Sequence, residues 1–145
     1  MRGKSFIIIF LALTAAVLNA PFSHAGERSA VIQPSKGDVF VPIAKYIRNG
    51  DAEKLSAWFA DNIEIAILGE HSECSKAQAR QIMKKFFAQY SPKSFTIIHK
   101  SGSVPMKYAI GHLNAGAESF YVILLINIHK SRAELVRIRV EEAAE

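Results

Sequence analysis

The sequence predicts an α+β domain in which N-terminal helices pack on one face of a curved antiparallel sheet. Two observations carry this. Between Asp38 and Tyr90 apolar residues recur mainly at helical spacing, with one alternating stretch inserted. After Pro92 the period switches to two and stays there almost to the C-terminus. Helices with a strand among them, followed by a meander of strands, is the order expected when helices cover one face of a sheet.

The first element is a leader. Arg2 and Lys4 precede an apolar run from Phe6 to Leu18, which has the length of a signal-peptide core and is too short to span a bilayer comfortably. Ser23-His24-Ala25 puts small residues at the two positions a signal peptidase reads, so cleavage is expected after Ala25. An earlier cut after Ala20 is disfavoured by Pro21, and no cysteine near the run could accept a lipid. The expectation is a signal peptide at 1–25, a flexible lead-in at 26–37, one domain at 38–141 and a short tail at 142–145. The domain would work outside the cytoplasm, in the periplasm or as a secreted protein.

Asp38 is a good helix N-cap, and Phe40, Ile43, Ala44 and Ile47 share one helical face, closed by Asn49-Gly50. Asp51 caps a second short helix with the stripe Ala52, Leu55, Trp58 and Phe59. Asp61-Asn62 reads as a turn, Ile63 to Ile67 as a strand ended by Gly69, and Glu70 to Glu73 as a loop. Ser75-Lys76-Ala77-Gln78 is a capping box for the longest helix, in which Ala79, Ile82, Met83, Phe86, Phe87 and Tyr90 keep the 3.6-residue period until Pro92. Four strands follow: Phe95–Lys100, Lys107–Leu113, Phe120–His129 and Leu135–Glu141, with turns at Ser101-Gly102-Ser103, Asn114-Ala115-Gly116 and Lys130–Ala133. In the last strand Val136, Ile138 and Val140 are expected to face inward and Arg137, Arg139 and Glu141 to face water.

Charge and cysteine content narrow the function. The full chain carries 18 Lys and Arg against 13 Asp and Glu; cleavage removes Arg2 and Lys4 and lowers the net charge from +5 to +3. That is too small to argue for nucleic acid or an anionic membrane, and no span remains after cleavage. Cys74 is the single cysteine, so an internal disulfide is impossible and the fold rests on its core. Packing filler is the favoured role for that thiol.

The Ile43–Leu55 stretch, with its Asn49-Gly50-Asp51 junction, and Trp58-Phe59-Ala60-Asp61-Asn62-Ile63 resemble the nuclear transport factor two-like superfamily, the cone-shaped (cystatin-like) fold of ketosteroid isomerases and SnoaL-type cyclases. The likeness covers roughly residues 38–141. Lys76–Ala79 through Phe86-Phe87, Phe95–Lys100 and Tyr108–Gly111 are most similar to a bacterial family of short exported proteins that carries a domain of unknown function. The resemblance implies a concave cavity. It also implies that the base of the isomerases would fall at about Ile67 and their second acid within Ile123-Leu124-Leu125, all apolar here.

No catalytic residue, metal site or cofactor is therefore expected. Glu70, His71, Glu73 and Cys74 match no ligand spacing and read as a solvated loop, and Lys76, Arg80 and Lys84 as a solvated helix face. The cavity candidates are Tyr46, Trp58, Phe86, Tyr108 and His112. The favoured function is a non-catalytic exported domain that binds a small apolar ligand or a protein partner through its cavity or sheet face. The alternative is a SnoaL-like isomerase or cyclase with relocated acid–base groups, at least two of Tyr46, Glu64, His99, His112 and Tyr121 converging inside the cavity. Phe120–Ile126 is apolar on both strand faces, so a homodimer through the sheet is also expected.

Overall fold

The computed structural model describes residues 37–144. The expected signal peptide at 1–25 and all of the lead-in except Gly37 lie outside the described residues. The elements are α1 (Phe40–Arg48), α2 (Ala52–Ser56), β1 (Phe59–Ile67), β2 (Glu70–Ser75), α3 (Lys76–Gln89), β3 (Ser94–Ser103), β4 (Met106–Asn114), β5 (Ser119–His129) and β6 (Arg132–Glu142).

Local chemistry sets the helix boundaries. The Phe40 N–H donates to Asp38 Oδ1 at 3.0 Å, and Asp38 also pairs with the Lys100 ammonium on β3, tying the start of α1 to the sheet. Gly50, at φ +63°, lets the chain turn sharply into α2, and the Lys54 N–H donates to Asp51 Oδ1 at 3.0 Å. The predicted capping box is present: the Gln78 N–H donates to Ser75 Oγ at 3.3 Å and the Ser75 N–H to Gln78 Oε1 at 3.1 Å. Ala79, Met83, Phe86 and Phe87 form the buried stripe of α3. α2 is only five residues long; Phe59, expected in its stripe, instead opens β1.

The six strands run in the order β2-β1-β6-β5-β4-β3. β3 to β6 form the expected antiparallel meander, but β1 pairs with β6 in parallel, so the curved, unclosed sheet is mixed. Three local expectations change. Glu70–Glu73 belongs to β2, a polar edge strand that pairs from Ile67↔Glu70 to Asn62↔Ser75; it lacks any buried face and so shows no alternation. Asp61 and Asn62 lie within β1, at the place where the β1–β6 register slips between Phe59 and Glu64. The β3–β4 hairpin turns at Val104-Pro105 rather than at Ser101–Ser103, which pairs within the ladder.

A bulge decides which side chains of β6 reach the core. At the β5–β6 register shift, Leu125 pairs with Arg137 and Ile126 with Leu135, leaving Val136 as the extra residue. Leu135, not Val136, is therefore the fully buried side chain, while Ile138 and Val140 are buried as predicted. The helices cover the face carrying Phe95, Ala109, Leu113, Phe120, Val122, Leu124 and Ile126, here called the inner face. Ile43, Ile47, Leu55 and Met83 from the helices complete that core, and each such large side chain contributes about 1.5–3 kcal/mol by leaving water. The opposite, outer face carries Tyr108, Ile110 and His112 of β4 beside Leu125, Ile123 and Tyr121 of β5.

Candidate functional site

The cone opens between α3 and the β1–β2 hairpin. Ile65 and Ile67 point to this side from β1, and Ile82, Phe86 and Tyr90 meet them from α3 and its C-terminal end. These five, buried or half-buried, make the floor of a cleft of about 370 Å3. Its exposed rim is polar: Glu70 and Ser72 on β2 stand across from Lys85 and Gln89 on α3. Helix periodicity produces this arrangement, since Ile82, Lys85, Phe86 and Gln89 fall at successive i+3 and i+4 steps. Behind the floor the aromatic rings close ranks. Phe120 lies 5.5 Å from Phe86 and 4.9 Å from Tyr90, both edge to face, and Phe87 lies 5.8 Å from Phe86. The Gln89 side-chain amide donates to the Tyr90 hydroxyl at 3.3 Å, placing a polar tip at the edge of an apolar floor.

Of the five cavity candidates, only Phe86 lines this cleft. Tyr46 sits half-buried on α1 against the core. Trp58 is 5% exposed within the core, and its indole N–H finds no acceptor. Tyr108 and His112 belong to the outer face, because they pair with Leu125 and Tyr121 while the alternate residues Ala109 and Leu113 point inward. The five thus do not share one cavity. On the outer face two aromatic pairs form instead: the Tyr108 hydroxyl is 3.3 Å from His99 Nε2, and the rings of His112 and Tyr121 are 5.8 Å apart.

The positions that the superfamily resemblance assigns to acid–base groups hold none. Ile67 lies in the cleft itself. Of Ile123-Leu124-Leu125, only Leu124 points inward, and it is fully buried in the core. The groups proposed as relocated replacements do not converge there either. Glu64 pairs with Arg137 at 2.7 Å on the outer face, where His99, His112 and Tyr121 also lie, and Tyr46 does not line the cleft. The cleft residues absent from the sequence-based candidates are Ile65, Leu68, Glu70, Ser72, Ile82, Lys85, Gln89 and Tyr90; the helical spacing on α3 is the available signal for four of them.

A second, more polar cleft of about 680 Å3 lies near the bulges of β1 and β6, walled by Asn62, Glu64, Glu73, Gln78, Arg137 and Leu125. Arg137 reaches Glu64 Oε2 through Nε at 2.8 Å and through its terminal nitrogen at 2.7 Å, so these two charges are spent on each other. Cys74, in the same wall, has its thiol 3.8 Å from the Ile63 carbonyl oxygen, and burial pushes the thiol up from its ordinary value. A thiol held protonated is a poor nucleophile. Among the described residues, no group of three His, Cys, Asp or Glu side chains is placed to hold a metal ion.

Comparison with known proteins bears on the family and the fold. A family model described as a domain of unknown function (DUF4783) matches residues 40–141. Among solved structures, a DUF4783 family protein from Bacteroides uniformis superposes with a TM-score of 0.71 at 19% identity, over 74% of this chain and 100% of that one. One from Bacteroides ovatus gives 0.69 at 19% identity, over 72% and 96%. An NTF2-like protein of unknown function from Cytophaga hutchinsonii gives 0.52 at 11% identity, over 72% and 86%. At these identities the likeness is one of fold. No curated protein matches the chain.

Proposed function

Since the chain belongs to the DUF4783 family and has an NTF2-like fold, and neither names a chemistry, we propose from its own residues that it is a non-catalytic binding domain. It takes a small apolar ligand with one polar end into the cleft between α3 and the β1–β2 hairpin. The observation that carries this reading is the cleft's division into an apolar floor and a polar rim; Ile67 on that floor is at about the position that the superfamily resemblance assigns to an isomerase's base. Its volume of about 370 Å3 lies at the lower end of the range of roughly 300–1,000 Å3 for small-molecule sites. An apolar body would replace water over Ile67, Ile82 and Phe86. Its polar end would meet Lys85, Gln89 or Ser72. Export would be compatible with this reading: Arg2, Lys4, the Phe6–Leu18 run and Ser23-His24-Ala25 have the pattern of a cleaved signal peptide.

The test uses 1-anilinonaphthalene-8-sulfonate, a fused ring system with one anionic end, titrated into the purified protein with fluorescence readout. Saturable binding is expected, weakened at least tenfold in Ile82→Trp, which fills the cleft from a half-buried floor position. The Tyr121→Arg variant, altered on the outer face, should bind as the parent does. Equal binding by the parent and Ile82→Trp, or no saturation at about 100 μM dye, would refute the cleft as the site.

A further inference from the structure

We infer that the end of the sheet formed by the β3–β4 and β5–β6 turns docks on an anionic lipid surface, with an apolar tip set into the headgroup layer. The two turns are held side by side. Met106 pairs with Asn127, and the Ile128 N–H donates to the Pro105 carbonyl oxygen at 2.6 Å. Val104 in the first turn is 62% exposed, Pro105 beside it is exposed, and Met106 is 39% exposed. Val41, 65% exposed, stands in the first turn of α1, which Asp38 ties to the same end through Lys100. Of the six large apolar side chains exposed among the described residues, three are therefore here, the two most exposed included. Apolar exposure is gathered at one end rather than scattered singly over the surface.

Charge and size identify the partner. The net charge of the whole chain is small, but it is unevenly placed. Lys100, Lys107, Lys130 and Arg132 stand around the two turns against Asp38 and Glu134, four cations to two acids. Both acids are already engaged, Asp38 by Lys100 and Glu134 by Arg132 at 2.7 Å. Lys107 adds only a weaker pull on Asp38, and Lys130, exposed at the apex of its turn, makes no ion pair among the described residues. Asp61 lies on β1, three strands from β4. At the usual strand spacing that is about 14 Å, beyond the screening length of about 8 Å at physiological salt. An apolar tip ringed by cations suits an anionic bilayer: the tip enters the headgroup boundary while the lysine heads meet lipid phosphates. Two turns and the start of a helix offer too little area for a standard protein interface of about 800 Å2 per partner, whereas a bilayer accepts a small projecting tip. No described helix is long and apolar enough to cross a membrane, so the contact is peripheral.

Co-sedimentation of the purified protein with lipid vesicles tests this, comparing phosphatidylcholine alone with phosphatidylcholine carrying about 30% phosphatidylglycerol, at about 50 mM NaCl. Binding is expected to the anionic vesicles only. One lysine near such a surface is worth about fivefold, so Lys107→Gln combined with Lys130→Gln should weaken binding about 25-fold. Val104→Ser combined with Met106→Ser leaves the charge unchanged and should weaken it at least fivefold. These positions are exposed or partly exposed, so the variants should keep the parent's circular dichroism spectrum. They also share the parent's N-terminus, so a difference between them reports on the tip alone. Ile82→Trp, altered in the cleft, should bind vesicles as the parent does, which separates this inference from the ligand reading. A parent protein that stays unbound at about 1 mM anionic lipid would overturn the inference and leave the tip to a protein partner. Equal binding to neutral and anionic vesicles would overturn it by removing the role of the lysines. Binding unchanged in both double variants, or lost in Ile82→Trp, would overturn it too, by placing the contact elsewhere.

Discussion

Gly111→Ala is a substitution whose sign the structure decides against the usual expectation. Gly111 sits in β4 with its α-carbon directed inward, and it is not among the glycines with positive φ, so its backbone is open to any residue. Chain entropy alone would then make alanine stabilising by about 0.4–1 kcal/mol. The outer edge of the Phe95 ring from β3 lies against this glycine. A Cβ placed there would come within 3.0 Å of Phe95 Cε1, and nearer still to two further ring atoms. Phe95 is only 5% exposed and is packed within the core, so the ring has little room to yield. Overpacking of this kind costs about 1–3 kcal/mol, and a rigid ring argues for the upper half of that range. The net expectation is a loss of about 1–2.5 kcal/mol. In a domain of this size that lowers Tm by about 4–8 °C per kcal/mol. Urea denaturation of the parent, Gly111→Ala, Phe95→Ala and the double variant would isolate the effect. In the Phe95→Ala background the added methyl should be neutral or stabilising, a coupling of opposite sign to its effect alone. Should Gly111→Ala match or exceed the parent in stability, with the two changes additive, the packing argument is wrong.

Two further outcomes are expected. Burial by itself would raise the Asp38 carboxyl, but Lys100 and the Phe40 N–H outweigh it and hold the group below its ordinary value of 3.8. A depressed folded value means a contribution present above pH 3.8 and lost as the pH falls through the folded value; urea midpoints measured between pH 6 and pH 2.5 should therefore fall less steeply with acid in Asp38→Asn than in the parent. The mature protein recovered from expressing cells should begin at Gly26 by N-terminal sequencing or intact mass, and an intact N-terminus on protein held in the cytoplasm would remove the export assignment.

The parts of the fold that show in the sequence are those where burial has a strong period. The α3 stripe with its Ser75–Gln78 box and the alternation of β5 are examples, since each packs one defined face against the core. β2 was hidden because an edge strand with no buried residue leaves no period to read. Val136 misled because one extra residue in β6 shifts inward and outward positions by one, and a bulge has no fixed signature without its partner strand. The site was less legible still. Alternation tells that Tyr108 and His112 share a face and that Ala109 and Leu113 share the other, but it does not tell which of the two the helices cover. That choice follows from long-range contacts such as Phe86 on Phe120, separated by over thirty positions in the chain. The cleft depends on both: a helix face that can be read and a hairpin, β1–β2, whose second strand cannot.

The parallel pairing of β1 with β6 also orders events in time. β6 is last in sequence yet third in the sheet, wedged between the β1–β2 hairpin and the β3–β5 meander. A chain delivered from its N-terminus can form both of those pieces while they remain unjoined. The join waits for residues 132–142, whose arrival closes a loop of some seventy residues back to β1. Closure over that separation is entropically slow and rewards nothing until the last strand is seated. Loss of the final eleven-residue strand would thus do more than shorten the sheet: it would leave two half-sheets with facing unpaired edges, each a template for the wrong neighbour. Assembly of the domain is in this sense gated by β6, the strand that joins its two pieces.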